Sequence, residues 1–141
     1  MEYKIYRTND INDILQCVPI EVELQKKIKS DIEIKNMLAF LQHQIDSPYI
    51  GMWIAKNGDE NIRGYMIAIA DSLLTKKINL WRMWTERGSK GIANQFESIL
   101  SAWAKSLHIK TVTIQVNDRI KAIAKKWKFK PVSLIMEREV K

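Results

Sequence analysis

The run Ile78-Asn79-Leu80-Trp81-Arg82-Met83-Trp84-Thr85-Glu86-Arg87-Gly88-Ser89-Lys90-Gly91-Ile92-Ala93 decides how this chain folds. Its first part, residues 78–84, is mostly aliphatic and aromatic and reads as a strand. Its second part carries Gly88 and Gly91, which let the backbone turn tightly and leave nothing projecting against a ligand. After them Ile92, Phe96, Ile99, Leu100, Trp103 and Leu107 recur at helical spacing. The first amides of a helix have no intrahelical acceptors and lie at the positive end of its dipole. A strand–glycine loop–helix junction is therefore suited to receive an anion. Ala93 is small enough to let that anion approach, and Lys90 adds a positive charge. Taken alone, the loop is also compatible with a tight turn whose glycines serve only the backbone.

Working outward, residues 111–116 alternate β-branched side chains and read as a strand reached by a helix-length crossover. Such a crossover joins parallel neighbours, so this strand is expected to pair parallel with 78–84. Upstream, residues 49–56 are almost continuously apolar, the turn Asn57-Gly58-Asp59-Glu60-Asn61 follows, and 62–70 return as the second arm of a hairpin. At the N-terminus a short strand, 3–7, precedes a helix that Asp10 can cap, with Ile11, Ile14, Leu15 and Val18 on one face. Pro19 is expected to interrupt it, with a second helical region starting near Glu21. The capping box Ser30-x-x-Glu33 opens a helix carrying Ile34, Met37, Leu38, Leu41 and Ile45, which Ser47-Pro48 stops. Downstream, Asp118 opens a short helix with Ile120, Ile123, Ala124 and Trp127 on one face, and 131–140 read as a closing strand. The expected class is α+β: a mixed, mostly antiparallel sheet with one parallel pair and helices on both faces. Strand alternation places Trp81 and Trp84 on opposite faces of the sheet, most simply both in core.

The chain has 141 residues, 46% hydrophobic and 28% charged, which fits one globular domain spanning 1–141. No apolar run approaches the roughly 20 residues of a membrane span, and the first residues lack the apolar core of a secretion signal. Cys17 is alone, which excludes an internal disulfide and reads as a small core filler. A cytoplasmic protein is the expectation. His43 and His108 lack partners at metal-ligand spacing, so no metal is expected, and His108 reads as a cap near a helix C-terminus. The net charge of +7 is concentrated at Arg119, Lys121, Lys125, Lys126, Lys128 and Lys130. A basic cluster of this kind serves a polyphosphate, an anionic surface or a nucleic acid. No stacking platform is interleaved with it, which argues against base reading but leaves weak backbone binding open.

The segment from Met83 to Ala93 resembles motif A of the GNAT N-acetyltransferases, (Gln/Arg)-x-x-Gly-x-(Gly/Ala) after a strand. Gly91 and Ala93 fall on its two small positions. Residues 117–129 have the spacing of motif B, and the order of elements matches that family over nearly the whole chain. The resemblance implies an acyl-CoA fold in which the strand around Met83, Trp84 and Thr85 splays from its neighbour to pair with the pantetheine arm of acetyl-CoA. It implies that Gly88, Ser89, Lys90, Gly91, Ile92 and Ala93 hold the pyrophosphate. Asn117 and the helix 120–124 would line the other wall, with Lys121, Lys125 or Arg119 meeting the nucleotide phosphates. The implied activity is acetyl transfer to a primary amine, of a small molecule or a protein, by direct attack in a ternary complex. The family's frequent homodimers are a further expectation.

The sequence also departs from that pattern. Gly88 stands where the family has Gln or Arg, with Arg87 displaced by one, and Lys128 replaces the usual glycine before Phe129. The position of the family's proton-donating tyrosine is Ala124, and no tyrosine follows Asn117. Candidate general bases are Glu21, Glu23, Asp71 and Glu86, each equally readable as a surface charge. The departures keep two other readings in view. One is a catalytically silent module that binds CoA or a partner. The other is a basic protein associated with nucleic acid.

Overall fold

The computed structural model describes residues 3–28, 34–89, 91–115, 120–132, 136 and 138–140. Five strands form one sheet in the order β1-β2-β3-β4-β5: β1 Lys4–Arg7, β2 Ile50–Lys56, β3 Ile62–Asp71, β4 Lys77–Thr85 and β5 Thr111–Ile114. The first three pairings are antiparallel and β4–β5 is parallel, as the crossover through α3 (Ile92–Ser106) requires. Helices α1 (Ile11–Ile28) and α2 (Ile34–Gln44) cover one face; α3 and the short α4 (Lys121–Lys126) cover the other.

The central strands are apolar on both sides because both sides are covered. Trp53, Ala55, Met66, Ala68, Ile78 and Leu80 point towards Phe96, Leu100 and Trp103 of α3. Met52, Ile54, Tyr65 and Ile67 point towards Ile14 and Cys17 of α1 and Met37 and Leu41 of α2. Arg7 fastens the first of these layers, its guanidinium about 5.6 Å from the ring centres of both Trp53 and Trp103. Asp13 fastens the second: its carboxylate accepts from Thr8 Oγ1 at 2.6 Å and Tyr6 OH at 3.2 Å, and lies 3.6 Å from Lys56 Nζ. Cys17 is a buried filler whose thiol is pushed up to about 12, by burial first and then by the nearby carboxylates of Asp13 and Glu21.

Two expectations are corrected. Pro19 does not interrupt α1, which runs unbroken through it. The proline sits on the solvent side, and the carbonyl it deprives of a donor belongs to Leu15, also exposed. The missing bond therefore leaves no buried group unsatisfied, and the packing of Ile14, Cys17 and Leu24 carries the helix across it. Trp81 and Trp84 do not lie on opposite faces; both pack on the α1–α2 side. Ile67 pairs with Arg82 but Ala68 pairs with Leu80, so Trp81 is an extra residue that shifts the alternation by one. Most of the middle of the expected strand 131–140, residues 133–135 and 137, lies outside the described residues; Val132, Met136 and Val140 are exposed. The capping box Ser30 to Glu33 lies outside the described residues, and β5 is described only to Ile114.

Two features position the cleft described below. At Gly64 on β3, an added Cβ would meet Ile92 Cγ2 at 3.0 Å, the Trp84 carbonyl oxygen at 3.1 Å and Phe96 Cε2 at 3.3 Å. The first turn of α3 therefore seats on bare backbone. At the other end, α4 stops in a Schellman arrangement: Phe129 N–H bonds the Ala124 carbonyl at 2.9 Å and Lys128 N–H that of Lys125 at 3.1 Å. Lys128 occupies the left-handed position at φ 64°, where glycine is favoured.

Gly64→Ala is expected to lower stability by about 1–3 kcal/mol through overpacking of α3 against β3, measured by urea unfolding. Lys128→Gly should act oppositely, adding about 1 kcal/mol and roughly 3 °C to the thermal midpoint, because the left-handed conformation no longer carries a Cβ.

Candidate functional site

β4 and β5 start together and then part. Their pairing runs from Lys77–Thr111 to Leu80–Ile114, while β4 continues, paired with β3, to Thr85. Among the described residues no strand covers the outer edge of β4 beyond Leu80. Unpaired backbone N–H and C=O groups on such an edge require water or a ligand as partners. The V-shaped opening is a cleft of about 530 Å³, lined by Met83, Trp84, Thr85 and Arg87 on one side and Ile120 and Ile123 before and on α4 on the other. Met83 is only 6% exposed, its side chain belonging mainly to the core, whereas Trp84 and Thr85 are half-buried.

The loop after β4 turns twice through the left-handed region, at Gly88 (φ 83°) and Gly91 (φ 89°). A side chain at Gly88 would meet no atom within 4 Å, and one at Gly91 only Gln95 Nε2 at 3.9 Å. Both glycines are exposed, so among the described residues no side chain covers them. Gly91 is the N-cap of α3 and supplies no side-chain acceptor to the helix. The N–H groups of the first turn, from Ile92 onward, thus have no capping side chain, which is the requirement for an anion site at a helix start.

The residues expected in this site have different standings in the structure. Ile92 is fully buried against the sheet, so it can offer only its backbone, and Ala93 is half-buried beside it. Ser89 is already engaged: its N–H donates to the Glu86 carbonyl at 3.1 Å and its Oγ to the same oxygen at 2.6 Å. It shapes the turn and has no free N–H for a phosphate. Lys121 and Lys125 are exposed on α4. Lys90, Asn117 and Arg119 lie outside the described residues. Arg87, displaced by one from the family pattern, does line the cleft and is its cationic wall residue among those described. The signal for it was present in the sequence as that one-residue displacement.

None of the four candidate bases lines the cleft. Glu23 is an exposed residue 3.3 Å from Lys26. Asp71 accepts from the N–H groups of Leu73, Leu74 and Thr75, and these bonds, chiefly that of Leu74, hold its carboxyl below the usual range. Glu86 accepts from Arg63 Nη1 at 2.7 Å, which ties the start of the glycine loop to β3. Glu21 is 2% exposed, accepts a hydrogen bond from Tyr65 OH, and lies 3.7 Å from Arg82 Nε. Ala124, at the position of the family's tyrosine, is buried on α4. Among the described lining residues there is accordingly no carboxylate, imidazole or phenol to move a proton. No group of three or more metal-ligating side chains occurs among the described residues, and no helix is long and apolar enough to cross a membrane.

Solved structures share this architecture across almost the full chain. A predicted acetyltransferase from Clostridium acetobutylicum, solved with acetyl-CoA, superposes with a TM-score of 0.75 at 19% identity, over 98% of this chain and 96% of that one. A GNAT-family acetyltransferase from Staphylococcus aureus gives 0.74 at 16% identity, over 90% and 82%. An aminoglycoside 6′-N-acetyltransferase from Acinetobacter baumannii gives 0.76 at 12% identity, over 99% of each. No family model matches the sequence, and no curated protein matches it. At such low identities the likeness is one of architecture. The chain has the fold of the GNAT acyltransferases.

Proposed function

We propose that the chain, acting as one domain, is an N-acetyltransferase that takes acetyl-CoA in the β4–β5 cleft and passes its acetyl group to a primary amine. The observation that carries this reading is the parting of β4 from β5 directly above an uncapped helix start reached through two left-handed glycines. The outer edge of β4 at Trp84 and Thr85, which line the cleft, suits an extended amide-bearing arm that pairs like an added strand. The first turn of α3 suits a pyrophosphate, with Arg87 at the wall and Lys121 and Lys125 at the nucleotide end. Among the fold relatives one was solved with acetyl-CoA and another acts on aminoglycosides, which favours an amine acceptor.

In the proposed reaction the neutral amine attacks the thioester carbonyl carbon, the C–S bond breaks, and an amide and the free thiol of CoA result. This chain's contribution is placement. Trp84 and Ile123 wall the reacting end, and peptide N–H groups of β4 face the carbonyl oxygen as charge develops on it. The described lining residues hold no carboxylate, imidazole or phenol, so in this reading the amine's proton leaves through water, and the thiolate is protonated the same way. That same lack favours one rival, a module that binds acetyl-CoA without turning it over.

Calorimetry with acetyl-CoA and a thiol-release assay over a panel of small amines, aminoglycosides and peptide amines separate the two. Cys17 is too buried to contribute to the thiol signal. Gly91→Asp should weaken acetyl-CoA binding at least tenfold, or about 1.4 kcal/mol. Gly91→Asn, which tolerates the left-handed backbone without the charge, should lose much less. Equal affinity in the aspartate variant and the parent would mean the phosphates bind elsewhere. Tight binding without thiol release on any amine would establish the silent module instead.

A further inference from the structure

Glu21 has no place in the proton transfers proposed above, yet it is the most buried carboxylate among the described residues. Its two oxygens join three elements. From α1 it receives the hydroxyl of Tyr65 on β3 at one oxygen, and its other oxygen lies 3.7 Å from the guanidinium of Arg82 on β4. Arg82 is the residue that follows the bulged Trp81. The two side chains are 3% and 13% exposed, so both charges have lost most of their water. A buried pair of this kind adds little stability compared with well-packed apolar residues of the same volume; what it supplies is a fixed geometry.

The location gives that geometry a consequence. A bulge leaves one residue unpaired, bends its strand and weakens the local ladder. Here it comes directly after Leu80, where the pairing of β4 with β5 ends among the described residues. The direction of the outer half of β4 is therefore set at Trp81–Arg82, and only β3 pairs with that half among the described strands. Arg82 is the first side chain beyond the bend, and Glu21 holds it from the α1 side. Tyr65, the other partner of Glu21, is the cross-strand neighbour of Trp84, with ring centres 5.9 Å apart, and Trp84 lines the cleft. One carboxylate is thus in contact with both the hinge of the opening and the neighbour of its aromatic wall.

We infer that Glu21 and Arg82 form a clamp that fixes the bulge of β4 and so sets the width of the acyl-CoA cleft; they are positioning residues, not proton carriers. This rests on the acyl-CoA reading above. It also explains why a charge pair is retained where an apolar pair would pack: Glu21 aims Arg82 across a helix–sheet interface that apolar contacts alone leave free to slide.

The test uses the double variant Glu21→Gln/Arg82→Met, which removes both charges of the pair together, alongside Arg82→Lys, which keeps a cation. The double variant should fold with a thermal midpoint no lower than the parent's yet bind acetyl-CoA about tenfold more weakly. Amide hydrogen exchange in the absence of acetyl-CoA should speed up at 81–85 but not at 77–80, and Arg82→Lys should recover most of the affinity. A merely structural role would lower the midpoint and raise exchange across the sheet. Affinity within about twofold of the parent, or unchanged exchange at 81–85, overturns the clamp. Failure of the parent itself to bind acetyl-CoA would sink the acyl-CoA reading and leave exchange to decide: local acceleration at 81–85 supports the clamp, and none overturns it.

Discussion

The molecule depends on how β4 is paired along its length. Four residues, Lys77 to Leu80, are held between β3 and β5, and among the described strands β3 is the one that accompanies β4 on to Thr85. A buried peptide group without a partner costs on the order of 1–3 kcal/mol, so a strand this deep in a protein does not normally leave an edge open. Here the end of the strand borders a cleft, and the described residues around it keep that cleft open. The bulge at Trp81 turns the strand, α4 closes the far wall with Ile123, and the glycine loop carries the chain away without filling the space.

The second requirement is that α3 starts in the right place. Its first residue, Ile92, is fully buried, and Phe96 follows on the same stripe, both against the bare backbone of Gly64. Because the helix is fixed by that seat, the N–H groups of its first turn point along a defined direction. The loop need not hold them. This leaves Gly88 and Gly91 free to be chosen for φ and for openness, while Glu86 and Ser89 fix the turn through Arg63 and the Glu86 carbonyl. The site is thus a product of core packing on one side and exposed backbone on the other.

Charge is used in two different ways. The exposed cations of α4 and Arg87 stand in water, where they attract anions over a Debye length of about 8 Å at physiological salt. Glu21 and Arg82 are removed from water, and their charges act at contact distance on the backbone. The sequence alone does not distinguish these uses, since a carboxylate on a helix is usually solvated. Burial of Glu21 follows from Tyr65, 44 residues away, and from Arg82, neither of which is adjacent to it in any local pattern.

What the amino-acid order determined by itself was whatever is local or follows from chain length. The hairpin through Asn57 to Asn61, the strand–loop–helix from Ile78 to Ser106, the α3 stripe and the parallel pairing were legible because turn chemistry, periodicity and crossover length act within a few tens of residues. The expectation of an opening beside β4, and of the residues around it, came only from family resemblance. Tertiary structure alone decided the rest. It carried α1 through Pro19, since packing on both sides outweighed one lost hydrogen bond. It placed Trp81 and Trp84 on the same face, since one extra residue in β4 inverts a period of two. It also turned Glu21 from a candidate base into a partner of Tyr65 and Arg82, because a side chain's role follows from what the fold brings against it.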